Sequence, residues 1–340
     1  MREEKISTVI LAAGKGERMK SSIPKVMHEI IDKPMIGYVV DVAKSIGFQK
    51  IVVVVGYGKE QVVEYLKDKG VIFCVQDRQE GTAHAVLCAK EIVSGTDVLI
   101  LYGDVPLIEN ITIKRFLDFY LREKEITFMV TEVDDPSGYG RVIMNGQSIE
   151  RIVEEKDAKE EELLIKVINT GICAIPSHCF PFLDFINNEN EKGEFYLTDI
   201  CGIARKRGRK VRAFFYRNFE EVLGINTKRE LFLANRIMRE RILQKHLEGG
   251  VIISGFDVTI GVDVEIGPDT KIGNNVTIIG KTIIGEGVEV GSNVVIKDCI
   301  IGEGAKVGSF VYMENHKVEK GEKIPNFFMP SKGGKFCVES

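Results

Sequence analysis

Ser7 to Lys25, STVILAAGKGERMKSSIPK, sets small residues and cations in an order suited to holding a polyphosphate. Val9-Ile10-Leu11 reads as a buried strand. Ala12-Ala13-Gly14 follow at once, small enough for main-chain N–H groups to approach a ligand, and Gly16, Arg18 and Lys25 lie beyond. Cations at those positions bind phosphate oxygens as a point charge or a fork. The spacing is not the Walker pattern, which needs Gly-Lys-Ser/Thr at a helix start. Nor is it the dinucleotide pattern, because Met19 stands where a third glycine belongs. Taken alone, a Gly-x-Gly after a strand is equally a tight turn.

Two later segments add chemistry of the same kind. Gln76 ends an apolar run and opens QDRQEGTAHA, and its amide offers a donor and an acceptor to a base edge. Gly81-Thr82 stands at a helix start, where Thr82 is also a plain N-cap candidate. YGDVPL puts Asp104 at a strand end, placed to hold a hard cation between phosphates or simply to cap a turn.

The elements that must position these residues alternate. Apolar runs at 51–55, 71–75 and 98–102 read as strands, and amphipathic patterns at 35–46, 59–67 and 82–93 read as helices. That alternation predicts a mostly parallel sheet covered on both faces, with ligands beyond the carboxyl ends of its strands. Past residue 125 the pattern turns mixed, so a mixed, mostly parallel, Rossmann-like α/β domain is expected. The basic run 205–212 (RKRGRKVR) reads as a solvated helix end and strand start. His178, His246 and His316 have no companions at ligand spacing, and they are left out of the catalytic set together with His28 and His84.

The chain has 340 residues, long enough for two domains. A net charge of −4 gives no reason to expect nucleic acid or a membrane surface as partner. No apolar run approaches the length of a membrane span and the first residues are charged, so neither a signal peptide nor a transmembrane helix is expected. Seven scattered cysteines without a C-x-x-C pair read as reduced thiols of a cytoplasmic protein.

The second half carries a repeat. Residues 227–249 read as one amphipathic connecting helix ending at Gly249-Gly250. Then Ile260, Ile266, Ile272, Ile278, Ile284, Val290 and Ile296 follow at a strict period of six, and the phase slips by one to Ile301 and Val307. A helix cannot keep one apolar face at that period, whereas a triangular coil turns one aliphatic residue inward per side. A left-handed parallel β-helix of little more than three coils is expected over 250–312, with a tail at 313–340.

The ordered segments LAAGKGERM, PKVMH, DKPM, QDRQEGTAHA, YGDVPLI, DPSGYGRV, IVEEKDA, INTGI, GEFYLTDI and GINTKREL resemble the bacterial N-acetylglucosamine-1-phosphate uridylyltransferases of the GlmU type. The resemblance covers residues 7 to about 232 and implies a nucleotidyltransferase domain over 1–226. It implies that Leu11, Ala12, Ala13 and Gly14 line the nucleotide, with Gln76 and Gly81 reading uracil and Thr82 beside them. Arg18 and Lys25 would hold phosphates and act as the catalytic cations. Asp104 and Asn226 would coordinate magnesium, and Gly140, Glu154, Asn169 and Thr198 would contact the amino sugar. The implied substrates are UTP and N-acetylglucosamine 1-phosphate, and the implied assembly is a homotrimer. One departure stands out: the histidine-bearing and acetyl-CoA-binding coils of that family have no counterpart here, so this reads as a short form without acetyl transfer. Two alternatives stay open. One is a different sugar phosphate or nucleotide. The other is a non-catalytic scaffold, which the presence of Arg18, Lys25 and Asp104 argues against.

Overall fold

The computed structural model describes residues 5–330. Two compact units separate within them: residues up to His28 together with Pro34–Leu231, and Glu29–Lys33 together with the chain from Phe232 onward. The division therefore departs from the expected continuous 1–226 block at a five-residue hairpin. Asp32 explains the departure, since its carboxylate accepts the N–H groups of Val262 and Gly280, both at 3.1 Å. A Cβ at Gly261 would stand 2.2 Å from that carboxylate, so only glycine admits it there.

The first unit is built on one nine-stranded sheet. Its strands are β1 (Ile6–Ala12), β2 (Ile51–Val55), β3 (Ile72–Val75), β4 (Asp97–Tyr102), β5 (Ile126–Glu132), β6 (Arg141–Asn145), β7 (Ser148–Val153), β8 (Val167–Ile175) and β9 (Val211–Phe215). They lie in the order β3-β2-β1-β4-β8-β5-β9-β7-β6. The first four are parallel, β8 runs against β4 and β5, and β6 and β7 form an antiparallel hairpin. The mixed, mostly parallel sheet is as the sequence predicts.

Burial follows the pleat. Val9 and Leu11 join one core and Ile10 and Ala12 the other, as do Val52 and Val54 against Val53 and Val55. Helices α1 (Met35–Ile46) and α4 (Asn110–Glu123) cover the second face through Ile36, Val39, Val40, Phe116 and Tyr120. On the first face lie α3 (Thr82–Cys88) and α6 (Ile200–Lys206), with α2 (Lys59–Leu66) and the short α5 (Glu160–Leu163) completing the set. The α3 helix stops at Cys88 rather than at residue 93. Ala89 and Val93 are still buried, but Ala89, Lys90 and Ile92 close i−3 turns, a geometry that keeps the apolar periodicity of a helix without its length.

Register levels the strand ends that matter. Ala12 pairs with Val55, Val55 with Val75, and Leu11 with Tyr102, so four loops leave the sheet side by side. The basic segment 205–212 is the end of α6 and the start of β9, and its Arg209 and Arg212 pair with Glu125 (3.1 Å) and Glu123 (2.6 Å).

The second unit begins within α7 (Lys228–Glu248) and continues as a parallel β-helix of three sheets, with five, four and four strands. Ile260, Ile278, Ile296 and Met313 stack in register, as do Ile272, Val290, Val307 and Ile324. The coil repeat shortens from 18 residues (Thr259 to Thr277) to 17 (Ile283 to Ile300), which is the one-residue slip in the sequence. The coils also outrun the expected boundary at 312: strands at Tyr312–Glu314, Lys317–Val318 and Lys323–Ile324 add a fourth turn. Met313, Val318 and Ile324 remain buried there, while the glycine that follows the inward aliphatic in the clear repeats is replaced by Glu314, Glu319 and Pro325. Residues 331–340 of the expected tail, Cys337 among them, lie outside the described residues.

Candidate active site

The level strand ends open onto two adjoining cavities in the first unit. The first, about 550 Å³, is lined by Leu11, Ala12, Ala13, Gly14, Lys25, Gln76, Gly81, Thr82 and Asp104. The second, about 210 Å³, is lined by Arg18, Asp104, Gly140, Glu154, Asn169, Thr198 and Asn226. Every residue singled out in the sequence therefore lies on one of two cavities that share walls at Thr82, Tyr102 and Asp104.

Local backbone explains the placement. Gly16 is left-handed (φ +68), and a Cβ there would meet the Cβ of Lys25 at 2.5 Å, so its glycine lets the Lys25 stem pass. The Ala13 carbonyl accepts the Tyr57 N–H (3.1 Å) and the Gln79 side-chain amide (3.0 Å), which fixes the loop after β1. Gln76 is buried and follows β3. Its Nε2 donates to the Gly81 carbonyl at 3.0 Å and lies 3.3 Å from His84 Nδ1. Thr82 does not cap α3. Gly81 holds the N-cap position with an extended ψ and a φ of +109 that favours glycine, and the Thr82 hydroxyl instead accepts the Leu197 N–H at 3.0 Å.

Charge concentrates where the cavities meet. Lys25 Nζ is ion-paired with Asp104 Oδ2 and donates to Asn226 Oδ1 at 2.6 Å. The Ile225 N–H donates to the Asp104 carbonyl at 2.9 Å, and Glu230 accepts the Asn226 N–H at 2.6 Å, so the 224–227 segment is docked on the end of β4. Among the described residues no group of three or more His, Cys, Asp or Glu could hold a metal by itself. Yet a carboxylate and an amide oxygen converge on one cation, the Lys25 ammonium. That hard-oxygen pair fits magnesium, which takes one or two protein oxygens and completes its shell with water and substrate phosphates.

In the second cavity Glu154 Oε1 accepts the Thr198 hydroxyl at 3.3 Å. Burial pushes its carboxyl above the usual 4.5, while Lys192 and Thr198 pull it down and Asp199 and Asp157 raise it further. Asn169 donates its N–H to the Gly140 carbonyl (2.9 Å) and accepts the Gly171 N–H at 3.0 Å. A Cβ on Gly140 would crowd Glu154 at 3.3 Å, and one on Gly171 would strike the Tyr102 ring at 2.8 Å.

Sequence reasoning passed over Gln79, Tyr102, Tyr139, Lys192, Glu194 and Tyr196, all on these walls. Gln79 and Tyr102 sit inside segments already singled out, beside Gln76 and Asp104. Tyr139 lies in DPSGYGRV beside Gly140, and Glu194 and Tyr196 lie in GEFYLTDI, whereas Lys192 falls just outside the segments singled out. The six cysteines within the described residues are free thiols, and burial raises each of them, Cys74 to about 11. No helix among the described residues is long and apolar enough to cross a membrane.

A model of the MobA-like NTP transferase domain matches residues 8–172, and one of the bacterial transferase hexapeptide (six repeats) matches 263–298 and 281–315. A crystal structure of UDP-glucose pyrophosphorylase complexed with UDP-glucose shares the fold at a TM-score of 0.53 and 20% identity, over 70% of this chain and 99% of that one. An α/β nucleotidyltransferase domain followed by a hexapeptide β-helix is the class that fold and cavities define. Proteins named "Bifunctional protein GlmU" are similar over most of its length. That of Caldanaerobacter subterraneus subsp. tengcongensis is 43% identical over 300 residues, 87% of this chain and 65% of that protein. The Geobacillus sp. (strain WCH70) protein is 42% identical over 297 residues, 86% and 64%. That of Clostridioides difficile is 40% identical over 290 residues, 84% and 63%. The chain is a GlmU homologue within the sugar-phosphate nucleotidyltransferases, and it spans just under two thirds of the length of these relatives.

Proposed function

We propose that the chain transfers UMP from UTP to N-acetylglucosamine 1-phosphate, giving UDP-N-acetylglucosamine and pyrophosphate. One observation carries this reading: a nucleotide-sized cleft and a smaller polar cleft meet at Asp104, beside the convergence of Lys25 and Asn226. A phosphate oxygen of the sugar phosphate forms a bond to the α-phosphorus of UTP, and the bond from that phosphorus to the bridging oxygen breaks, with its electron pair leaving on pyrophosphate. The nucleophile is already anionic near neutral pH, so the reaction needs alignment and charge neutralisation rather than a general base.

Ala12, Ala13 and Gly14 offer small residues and open backbone to the triphosphate, as Gly14 has no atom within 4 Å of where a Cβ would stand. Leu11 and Thr82 line the same wall, and Gln76 and Gly81 present amide groups to the base. Arg18 and Lys25 hold phosphate oxygens. Gly140, Glu154, Asn169 and Thr198 bind the sugar, with a carboxylate and an amide suited to hydroxyl and N-acetyl groups. Asp104 and Asn226 would hold magnesium, which supplies Lewis-acid neutralisation of the phosphates. With the Asp104 and Asn226 oxygens given to that ion, the Lys25 ammonium would be left to the nucleotide.

The reading places the protein in the cytoplasm, as a homotrimer that supplies a cell-wall polysaccharide precursor. Sedimentation equilibrium decides the trimer, and a monomeric mass would remove it. Pyrophosphate release from a panel of nucleoside triphosphates and sugar 1-phosphates, with and without magnesium, decides the activity. UTP with N-acetylglucosamine 1-phosphate should lead the panel, and a different leading pair would replace the substrates named here. Acetyl-CoA with glucosamine 1-phosphate and UTP in the same assay measures acetyl transfer.

A further inference from the structure

Lys192 lies on the seam between the two clefts. Five residues line both cavities: Thr82, Tyr102, Asp104, Lys192 and Glu194. Two of the five are carboxylates, and Lys192 alone among them is a cation. Lys25 lines only the first cavity and Arg18 only the second. Two anionic substrates that react with each other must bring their phosphates to this seam. There Glu194 would repel the acceptor phosphate unless a positive charge stands by, and in the reading above Asp104 is given to magnesium and Lys25 to the nucleotide.

The loop carrying Lys192 is built rather than loose. Asn190 Oδ1 accepts the N–H groups of Lys192 and Glu194, both at 3.2 Å, and its amide donates to the Glu194 carbonyl at 2.6 Å. The Glu191 N–H donates to Asp157 at 3.0 Å, and Gly193 turns through the left-handed region at φ +65. From this frame the Lys192 ammonium reaches over the Tyr196 ring, 5.9 Å from its centroid. Tyr196 lines the second cavity, as does Glu154, whose carboxyl feels the Lys192 charge. The ammonium therefore stands on the sugar side of the seam. Lys192 is solvent-exposed, and its side chain still lines both cavities.

We propose that Lys192 is a substrate-binding cation whose ammonium engages the phosphate of the sugar 1-phosphate where the two clefts join. This rests on the reading of the clefts given above. It assigns Lys192 to the acceptor rather than to the nucleotide, and to the phosphate rather than to the sugar ring.

Steady-state kinetics of Lys192→Gln and Lys192→Arg, with calorimetric titration of sugar ligands, test it. In Lys192→Gln the KM for the sugar 1-phosphate should rise about 10- to 100-fold, the range for losing a hydrogen bond to a charged group. The KM for the nucleotide should stay within about twofold, as expected where uniform binding of one substrate is lost. Lys192→Arg should recover most of the loss. Binding of unphosphorylated N-acetylglucosamine should be unchanged in both variants, a result that a merely structural role would not give. Unchanged acceptor KM in Lys192→Gln, equal rises for both substrates, or loss of neutral-sugar binding would each overturn the assignment. Should the wild type release pyrophosphate from no substrate pair, the underlying reading fails. Direct titration of sugar 1-phosphate into wild type and Lys192→Gln then judges Lys192 by itself, and equal affinities or no binding would end it.

Discussion

Lys25 Nζ donates to Asn226 Oδ1 at 2.6 Å, across 201 residues of chain. Asn226 receives that bond because its own segment is docked on the end of β4 through the Ile225 N–H and the Asp104 carbonyl. A loop near the start of the unit, a central strand and a segment near its end thus share one cluster of charge. None of the three is complete alone: without Lys25 the Asp104 carboxylate faces the clefts uncompensated, and without Asn226 the ammonium loses the neutral amide oxygen that it bonds beside Asp104.

Substitutions within that cluster should separate metal binding from phosphate binding. Asp104→Asn keeps the size of the side chain and removes its charge, and a neutral amide holds magnesium poorly. Most metal-dependent turnover should vanish, and manganese should no longer bind in a titration followed by electron paramagnetic resonance. Lys25→Ala removes a phosphate cation and should lower the rate of pyrophosphate release by about 10²–10³, the usual loss for one transition-state stabiliser. The same variant frees Asp104 and Asn226, so manganese should bind the protein alone more tightly than it binds wild type. Weaker manganese binding in Lys25→Ala would show that these oxygens do not receive the ion.

Two glycines on the first cavity should behave in opposite ways. Gly81 has φ +109, and a Cβ there would stand 2.6 Å from the Phe195 carbonyl and 2.7 Å from its nitrogen. Those atoms bond to Ala83 and Glu80 at 2.9 and 2.8 Å, so no flexible side chain can give way. Gly81→Ala should cost about 1–3 kcal/mol of stability through backbone strain, with further loss from the broken pair. Gly14 has nothing within 4 Å of its would-be Cβ, and no left-handed angle. Gly14→Ala should therefore unfold at the wild-type denaturant midpoint and yet bind UTP more weakly. Urea melts and nucleotide titrations of the two variants read both effects.

How far the site was legible follows from which residues carry local signals. Apolar runs followed by small or polar residues marked β1, β3 and β4, and level register brought Gly14, Gln76 and Asp104 to one edge. Asn226, Glu154 and Thr198 have no local mark of function and were reached only by resemblance, because long-range packing puts them beside the other residues. Lys192 and Tyr139 sit in turn-rich segments whose direction only the folded chain determines. The hairpin at 29–33 was missed for the same reason: Asp32 finds its partners some 230 and 248 residues away. In the β-helix the inward aliphatic gave the coils away until residue 307, and the loss of its following glycine hid the last turn.

The inward stack of the second unit should be far less tolerant than its outer face. Ile296 is fully buried between Ile278 and Met313 in adjacent coils. Ile296→Ala leaves a cavity the rigid coils cannot close and should cost about 2–5 kcal/mol. Thr277 points outward on a neighbouring rung, and Thr277→Ala should stay within about 0.5 kcal/mol of wild type. Chemical unfolding followed by circular dichroism measures both, and equal effects would remove the inward aliphatic as the source of coil stability.

Glu154 gives a pH dependence with a definite sign. Burial raises its carboxyl above 4.5, Asp199 and Asp157 push the same way, and Lys192 and Thr198 oppose them. Asp199 is itself raised, by burial first and then by Asp157. The folded chain therefore holds the Glu154 proton more tightly than the unfolded chain does. Stability from this group is greatest below the unfolded value of 4.5 and is lost as pH rises through the higher folded value. Glu154→Gln removes the group from that linkage. Its melting temperature should exceed wild type near neutral pH, and the difference should disappear at pH values below 4.5, where both side chains are neutral. Substrate binding should move the opposite way. A carboxylate bonded to sugar hydroxyls is stronger than an amide in the same place, so the acceptor KM of Glu154→Gln should rise by about tenfold or more at neutral pH. Calorimetric melts at several pH values, set beside acceptor KM at the same values, test both halves. A variant no more stable than wild type at neutral pH would mean that Glu154 is not the buried, proton-holding group described here.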